Sequence, residues 1–155
     1  MRKVRLEIDA GAEEEVIIRC RKLTPEILRL QRLAEETDLP DVGQMLILRL
    51  ADREFFVSQS EVLFFETDGR RTAAHTADRM LYSSDTLHDL EATLPGYFAR
   101  ASKSCMVNVR AVSSLRRDVT GVGEAFFRDS DKKIYISRMY YRAFHDKLLM
   151  IRQNR

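Results

Sequence analysis

No apolar run in this chain comes near the ~20 residues that a helical membrane span requires. The amino terminus, Met1-Arg2-Lys3-Val4-Arg5-Leu6-Glu7, lacks the continuous apolar core of a secretion signal, so a cytoplasmic protein is expected. Cysteine is scarce: Cys20 and Cys105 are the only two, each in an apolar-rich stretch. Two isolated cysteines read as buried small hydrophobes, not as a disulfide or a metal pair. His75, His88 and His145 show no ligand spacing with each other or with the cysteines, so no metal site is expected. There is no glycine-rich phosphate loop and no G-x-S-x-G elbow. Glu13-Glu14-Glu15 and Glu35-Glu36 read as solvated faces. Catalysis, cofactors and a small-molecule substrate are therefore not expected, although a carboxylate pair drawn from distant strands would leave no trace here. Zinc-finger, bZIP and RRM signatures are also missing, as is the helix pair of a helix-turn-helix protein.

What is present is an ordinary globular composition, 45% hydrophobic and 32% charged, with an uneven charge distribution. Residues 1–50 hold nine Lys/Arg against ten Asp/Glu, a net −1. Residues 51–97 hold four against nine, a net −5. Residues 98–155 hold thirteen against five, a net +8. A basic last third behind an acidic middle suggests one cationic face. Charge alone leaves nucleic acid and a merely solvated basic surface equally open.

The pattern along the chain predicts a small β-β-α extension followed by a β-rich domain. Val4, Leu6 and Ile8 alternate with charged residues, and Val16-Ile17-Ile18 is a second short strand. Thr24-Pro25-Glu26 reads as a helix start, with Ile27, Leu30, Leu33 and Ala34 as its apolar stripe and Leu39-Pro40-Asp41-Val42-Gly43 as its stop. Some forty residues cannot bury a core alone, which sets a boundary near Gly43. Strands are then expected at Leu46–Leu50, Phe55–Val57, Val62–Phe65, Thr72–Thr76, Met80–Tyr82, Cys105–Val109, Glu124–Phe127 and Ile134–Ile136, with Asp68-Gly69 as a turn. One short helix, capped by Ser84 and lined by Leu87, Leu90 and Leu94, stops at Pro95-Gly96. Ser137 opens a terminal helix with Tyr141, Phe144, Leu148 and Ile151 on one side. The fold class is mainly β with α.

Five pieces in order, from about Gln59 to Leu148, carry a resemblance. They are Val62-Leu63-Phe64-Phe65-Glu66-Thr67-Asp68-Gly69, the pair His75-Thr76, the helix ending Leu94-Pro95, the block Phe98-Ala99-Arg100-Ala101-Ser102-Lys103-Ser104 running on to Val107-Asn108, and Ile136-Ser137-Arg138. Together they resemble the LytTR DNA-binding domain. The resemblance implies an elongated β fold that inserts loop side chains into successive major grooves of a direct-repeat site. It implies a DNA contact at Lys103, one at Arg70 or Arg71 without choosing between them, and one at Arg138, where a helix start also favours phosphate. The bland alternatives are a surface lysine at 103, a pair of one of the two arginines with Glu66, and an Arg138 ion pair with Asp129 or Asp131. Arg100 lies in the same block and is also read as a support beneath the loop. Two positions depart from the family pattern: Ser102 stands where a histidine is frequent, and Met139 where a second basic residue is frequent. Base preference is expected to differ accordingly.

Residues 1–43 are too short for a receiver domain, so control by aspartyl phosphorylation is not expected. They are read as a dimerisation or signal-coupling unit of a homodimer. For free-standing members, the resemblance also implies a small membrane protein as partner. The competing readings are a protein-interaction module for an acidic partner and an RNA-binding protein. The aromatic residues near the basic ones, Tyr140, Tyr141 and Phe144, sit in a helix with at least two turned toward a core, which does not suit base stacking.

Overall fold

The computed structural model describes residues 18–35 and 45–153. The chain falls into two compact units, 1–40 and 41–155. In the first, helix α1 spans Pro25–Glu35. The Oγ1 of Thr24 accepts the Ile27 N–H at 3.3 Å, and its carbonyl accepts that of Leu28 at 3.0 Å, satisfying two donors that the first turn cannot pair internally. Ile27 is half-buried, while Leu28 and Leu30 are exposed with Arg29 and Arg32. Cys20 is exposed, contrary to the expectation for both cysteines, because it lies in irregular chain ahead of α1 and not on a strand or helix face. The strand at 4–8, most of the strand at 16–18 and the helix stop at 39–43 lie outside the described residues; Ile18 itself is in no strand.

The second unit carries two antiparallel sheets and two helices. The larger sheet has seven strands in the order β2-β1-β5-β4-β3-β7-β6. Its members are β1 (Met45–Leu50), β2 (Arg53–Ser58), β3 (Phe64–Asp68), β4 (Arg71–His75), β5 (Met80–Ser83), β6 (Phe98–Ser102) and β7 (Cys105–Asn108). The smaller has the order β10-β9-β8, built from β8 (Val112–Arg117), β9 (Gly123–Phe127) and β10 (Lys133–Ile136). Helices α2 (Leu87–Thr93) and α3 (Arg138–Gln153) complete it. Strand β7 is buried at every position, and so is β4 after Arg71, which marks both as covered on two faces. Phe65, Leu48, Leu81, Leu90, Met106 and Phe144 are among the largest fully enclosed side chains.

Three local features depart from the sequence reading. The cap of α2 is Thr86, not Ser84: Thr86 accepts from the Asp89 N–H and Asp89 reaches back to the Thr86 N–H, each at 3.2 Å, a reciprocal pairing that Ser84 is too far upstream to make. Strand β3 starts at Phe64, and Val109 belongs to a short 3₁₀ turn after β7. Strands β6 and β8 are further elements; β6 breaks its period at a bulge, and the burial of β8 gives no clean alternation, since only Val112 is buried and Leu115 half-buried.

Candidate nucleic-acid interface

The pairing registers gather several chain turns at one end of the second unit. Asp68 pairs with Arg71, so β3 and β4 are joined by the two residues Gly69 and Arg70. Gly69 takes φ +62°, a backbone conformation that side chains resist. Ser102 pairs with Cys105, so β6 and β7 are joined by Lys103 and Ser104. The Thr67 N–H donates to the Ser104 carbonyl at 2.9 Å, which sets this turn beside the first. The pairing of β6 with β7 is irregular between Arg100 and Ser102, and such bulges re-aim side chains. Here the Ala101 carbonyl accepts the Ser137 N–H at 2.9 Å, bringing the start of α3 to the same place. Gly123 pairs with Ile136, so the turn between β8 and β9 lies next to Arg138 as well.

Each candidate residue can now be located. Arg70 is exposed in its turn. Arg71 lies with its guanidinium 3.8 Å from the centre of the Tyr82 ring and 3.9 Å from Asp68. The Glu66 pairing considered for these arginines does not form; Glu66 Oε1 is 2.7 Å from His75 Nε2 instead. Lys103 is exposed at the tip of its turn. Ser102 is half-buried, and its hydroxyl accepts the Ser104 N–H at 3.2 Å. Arg138 opens α3 and is exposed; among the described residues no ion pair joins it to Asp129 or Asp131. Met139 is 80% exposed. Arg100 is held inward, its side chain 18% exposed. Its side chain donates to Glu91 at 3.2 Å, and its Nη1 donates to the Lys103 carbonyl at 2.6 Å. That is the geometry of a support that fixes the backbone under Lys103.

The sequence reading passed over the β8–β9 turn. Arg117 stacks over Tyr141 at 4.3 Å and donates from Nε to the Gly121 carbonyl at 3.3 Å. A Cβ on Gly121 would lie 3.3 Å from the Cγ and Cδ of Arg138 and 3.6 Å from Nη2 of Arg117, so these two side chains flank one point. Asp118 organises the turn by accepting from the N–H groups of Thr120 and Val122. The Thr120 hydroxyl, chiefly, holds the Asp118 carboxyl below its ordinary range. Arg116 differs from its neighbour: it is ion-paired with Glu124. The available signal was the pair Arg116-Arg117 ahead of Asp118-Val119-Thr120-Gly121, a basic pair leading into a turn. Arg142, one helical turn beyond Arg138, is also exposed.

Behind this end lies a polar network that joins the two sheets. The Lys132 ammonium donates to the carbonyls of Thr76 at 2.9 Å and Arg79 at 2.7 Å, and sits 3.4 Å from His75 Nδ1. With an ammonium on that side, Nδ1 is the acceptor and the Nε2 proton points to Glu66. Burial, above all, lowers the His75 pKa from its ordinary 6.5, against the raising effect of Glu66. Cys105 is buried, and desolvation pushes its thiol up to about 12, so it stays a neutral part of the core. Among the described residues there is no group of His, Cys, Asp and Glu that could hold a metal ion, and no helix long and apolar enough to cross a membrane.

Tyr140 and Tyr141 are half-buried against the core and Phe144 is fully enclosed, so α3 offers no row of free aromatic faces. The two helices of this unit are separated in the chain by β6 to β10, so they do not form a helix-turn-helix pair.

Comparison with known proteins gives the same architecture. The chain is 25% identical over 149 residues to an uncharacterized HTH-type transcriptional regulator of Staphylococcus aureus (strain NCTC 8325 / PS 47), covering 96% of this chain and 99% of that protein. A similar regulator from Staphylococcus aureus (strain MRSA252) is 24% identical over the same shares. Among solved structures, the LytTr DNA-binding domain of a methyl-accepting/DNA response regulator from Bacillus cereus superposes with a TM-score of 0.63 at 21% identity, covering 68% of this chain and 98% of that one. The family model of the LytTr DNA-binding domain matches residues 52–149. With most of its second unit matched in sequence and the same fold in space, the chain belongs to the LytTR DNA-binding domain family.

Proposed function

We propose that the protein is a sequence-specific regulator of transcription that reads major grooves of a direct-repeat duplex site with side chains from its turns. One observation carries the reading: turns from both sheets, and the start of α3, bring Arg70, Lys103, Arg117 and Arg138 to the same end without carboxylate partners among the described residues. Short turns between paired strands hold side chains more rigidly than free loops. Arginine forks suit guanine edges, and both arginine and lysine suit phosphate. Arg71, stacked on Tyr82, is the less free of the two neighbouring arginines, which favours Arg70 as the contact of that turn. Arg100 acts from beneath by holding the Lys103 carbonyl.

Residues 1–43 serve, in this reading, as a dimerisation or signal-coupling unit that does not touch DNA. Their near-neutral charge and their surplus of apolar positions over what so short a segment can bury support it. The protein then acts as a homodimer, with a small membrane protein as the partner that relays its signal.

The test is quantitative footprinting on a duplex that the protein itself selects from a random pool. Lys103→Ala and Arg138→Ala are each expected to weaken specific binding by ~1–3 kcal/mol with an unchanged melting temperature. Parent-like affinity in either variant removes that residue from the interface. A large drop in melting temperature would instead make it a structural residue.

A further inference from the structure

We propose that a cleft on the side of the DNA-binding unit takes a small organic carboxylate with an apolar body, and that filling it weakens DNA binding through Arg100. The second half rests on the DNA-reading role assigned to Lys103 above. The cleft holds about 340 Å³ between the carboxyl end of α2, strand β6 and α3. That is the lower part of the range of small-molecule sites, roughly 300–1,000 Å³. Leu94, Pro95 and Tyr140 supply its accessible apolar surface, Ala143 lines it from α3, and the enclosed Phe98 and Met106 form its floor.

The polar groups in the cleft set the chemistry of the ligand. A guanidinium has five N–H donors and an ammonium three. Arg100 commits donors to Glu91 and to the Lys103 carbonyl, and Lys147 commits one to the Phe98 carbonyl at 2.9 Å. Both cations keep unspent donors. The one carboxylate in the lining, Glu91, is already engaged by Arg100. The cleft thus has spare donors, and two cations against one anion. It matches a ligand that brings acceptors and negative charge; an amine would meet the two cations. A planar carboxylate also fits the guanidinium fork in two-point fashion. An apolar body on that carboxylate covers the accessible parts of Leu94, Pro95 and Tyr140 and releases the water over them.

The link to DNA is a single side chain. Arg100 lines the cleft and also holds the Lys103 turn through Nη1. A carboxylate bound by the remaining Nη1 and Nη2 hydrogens draws the guanidinium toward the cleft and so lengthens its bond to the Lys103 carbonyl. The turn holds only Lys103 and Ser104 between its strands, so loss of that bond changes where the Lys103 ammonium points. Because coupling is reciprocal, DNA must weaken the ligand by the same factor that the ligand weakens DNA.

The experiment uses the full-length protein with phenylacetate as probe and phenylacetamide and phenethylamine as neutral and cationic controls, at matched ionic strength. Binding is followed by chemical-shift mapping on isotopically labelled protein without DNA, and then by DNA affinity at saturating probe. Phenylacetate is expected to bind saturably and to shift the Arg100 and Ala143 signals, with neither control doing so. DNA affinity is expected to fall about five-fold or more, the lower end of ordinary coupling. Ala143→Phe fills the cleft from an exposed helix position and should abolish both effects while leaving unliganded DNA binding intact. Lys147→Gln keeps a donor for the Phe98 carbonyl but removes the charge, and should weaken the probe. Equal binding of the amide, shifts elsewhere, no saturation, or an unaffected Ala143→Phe variant overturns the site. Saturable binding with unchanged DNA affinity overturns the coupling. A parent that selects no duplex defeats the DNA reading, while the mapping without DNA still decides the cleft.

Discussion

Gly123 offers a sharp test of how α3 is seated on the small sheet. A Cβ built at this position lies 2.6 Å from two ring carbons of Tyr141 and 3.3 Å from the Cβ of Ile136. The φ of Gly123 is outside the left-handed region, so alanine meets no backbone strain and the ring contact decides the outcome. Forcing a methyl into such a contact costs about 1–3 kcal/mol. Against this, alanine narrows the unfolded ensemble and returns ~0.4–1 kcal/mol. Gly123→Ala should therefore destabilise the protein by about 1.3 kcal/mol at mid-range, within a span of roughly 0–2.6 kcal/mol set by the difference of those two effects. With Tyr141→Ala already present the ring contact is gone and only the 3.3 Å approach to the Ile136 Cβ opposes the gain, so the same substitution should be near neutral or stabilise by up to ~1 kcal/mol. The coupling between the two sites is then about 1–3 kcal/mol, read from urea midpoints of the four proteins in the cycle. Gly123→Ala should also lower DNA affinity, because Arg117 rests on the Tyr141 ring and Arg138 begins the same helix. An equal cost of Gly123→Ala in both backgrounds would refute the argument, since the ring would then be yielding freely or not be the obstacle.

Salt should weaken DNA binding steeply: with about five phosphates neutralised, log K is expected to fall against log salt with a slope near −4 to −5, and a flat response in a titration would sink the electrostatic account. His75 should make stability pH-dependent. Its pKa is lowered below 6.5, mainly by burial, so its contribution is present above that value and is lost as pH falls through the lower folded-state pKa. Urea midpoints of the parent should thus fall between pH 7 and 5 more than those of His75→Gln, and identical pH profiles would remove His75 as the cause. Deletion of residues 1–43 should leave a folded fragment that footprints single half-sites with unchanged preference, binds the full repeat more weakly, and has a smaller mass by light scattering. Identical footprints and masses would give the segment another purpose, and an unfolded fragment would place it in the core.

Much of the fold was legible because burial wrote a period into the chain. Leu46 and Leu48 in β1, the β-branched and aromatic residues of β3 and β10, and the Phe144–Leu148 spacing of α3 all announce their elements. Where burial is uneven, the signal fails. Strand β8 exposes most of its residues and so shows no alternation, and β6 interrupts its period with a bulge. The cap of α2 was misassigned because Ser84 and Thr86 are both good capping residues. Only the reciprocal bond with Asp89 separates them.

By itself the sequence determined the family-like block order, the basic last third and the identity of the cations available to meet DNA. Which of those cations are free was a tertiary decision. Arg100 and Lys103 stand in the same short block with the same charge, yet one is spent on Glu91 and a carbonyl while the other is exposed. Arg116 and Arg117 are adjacent, yet Glu124 neutralises the first and Tyr141 props up the second. The reason is physical: a side chain's availability depends on the partners that strand register and helix seating bring within a few ångströms, and those partners come from other elements, where local sequence carries no trace of them.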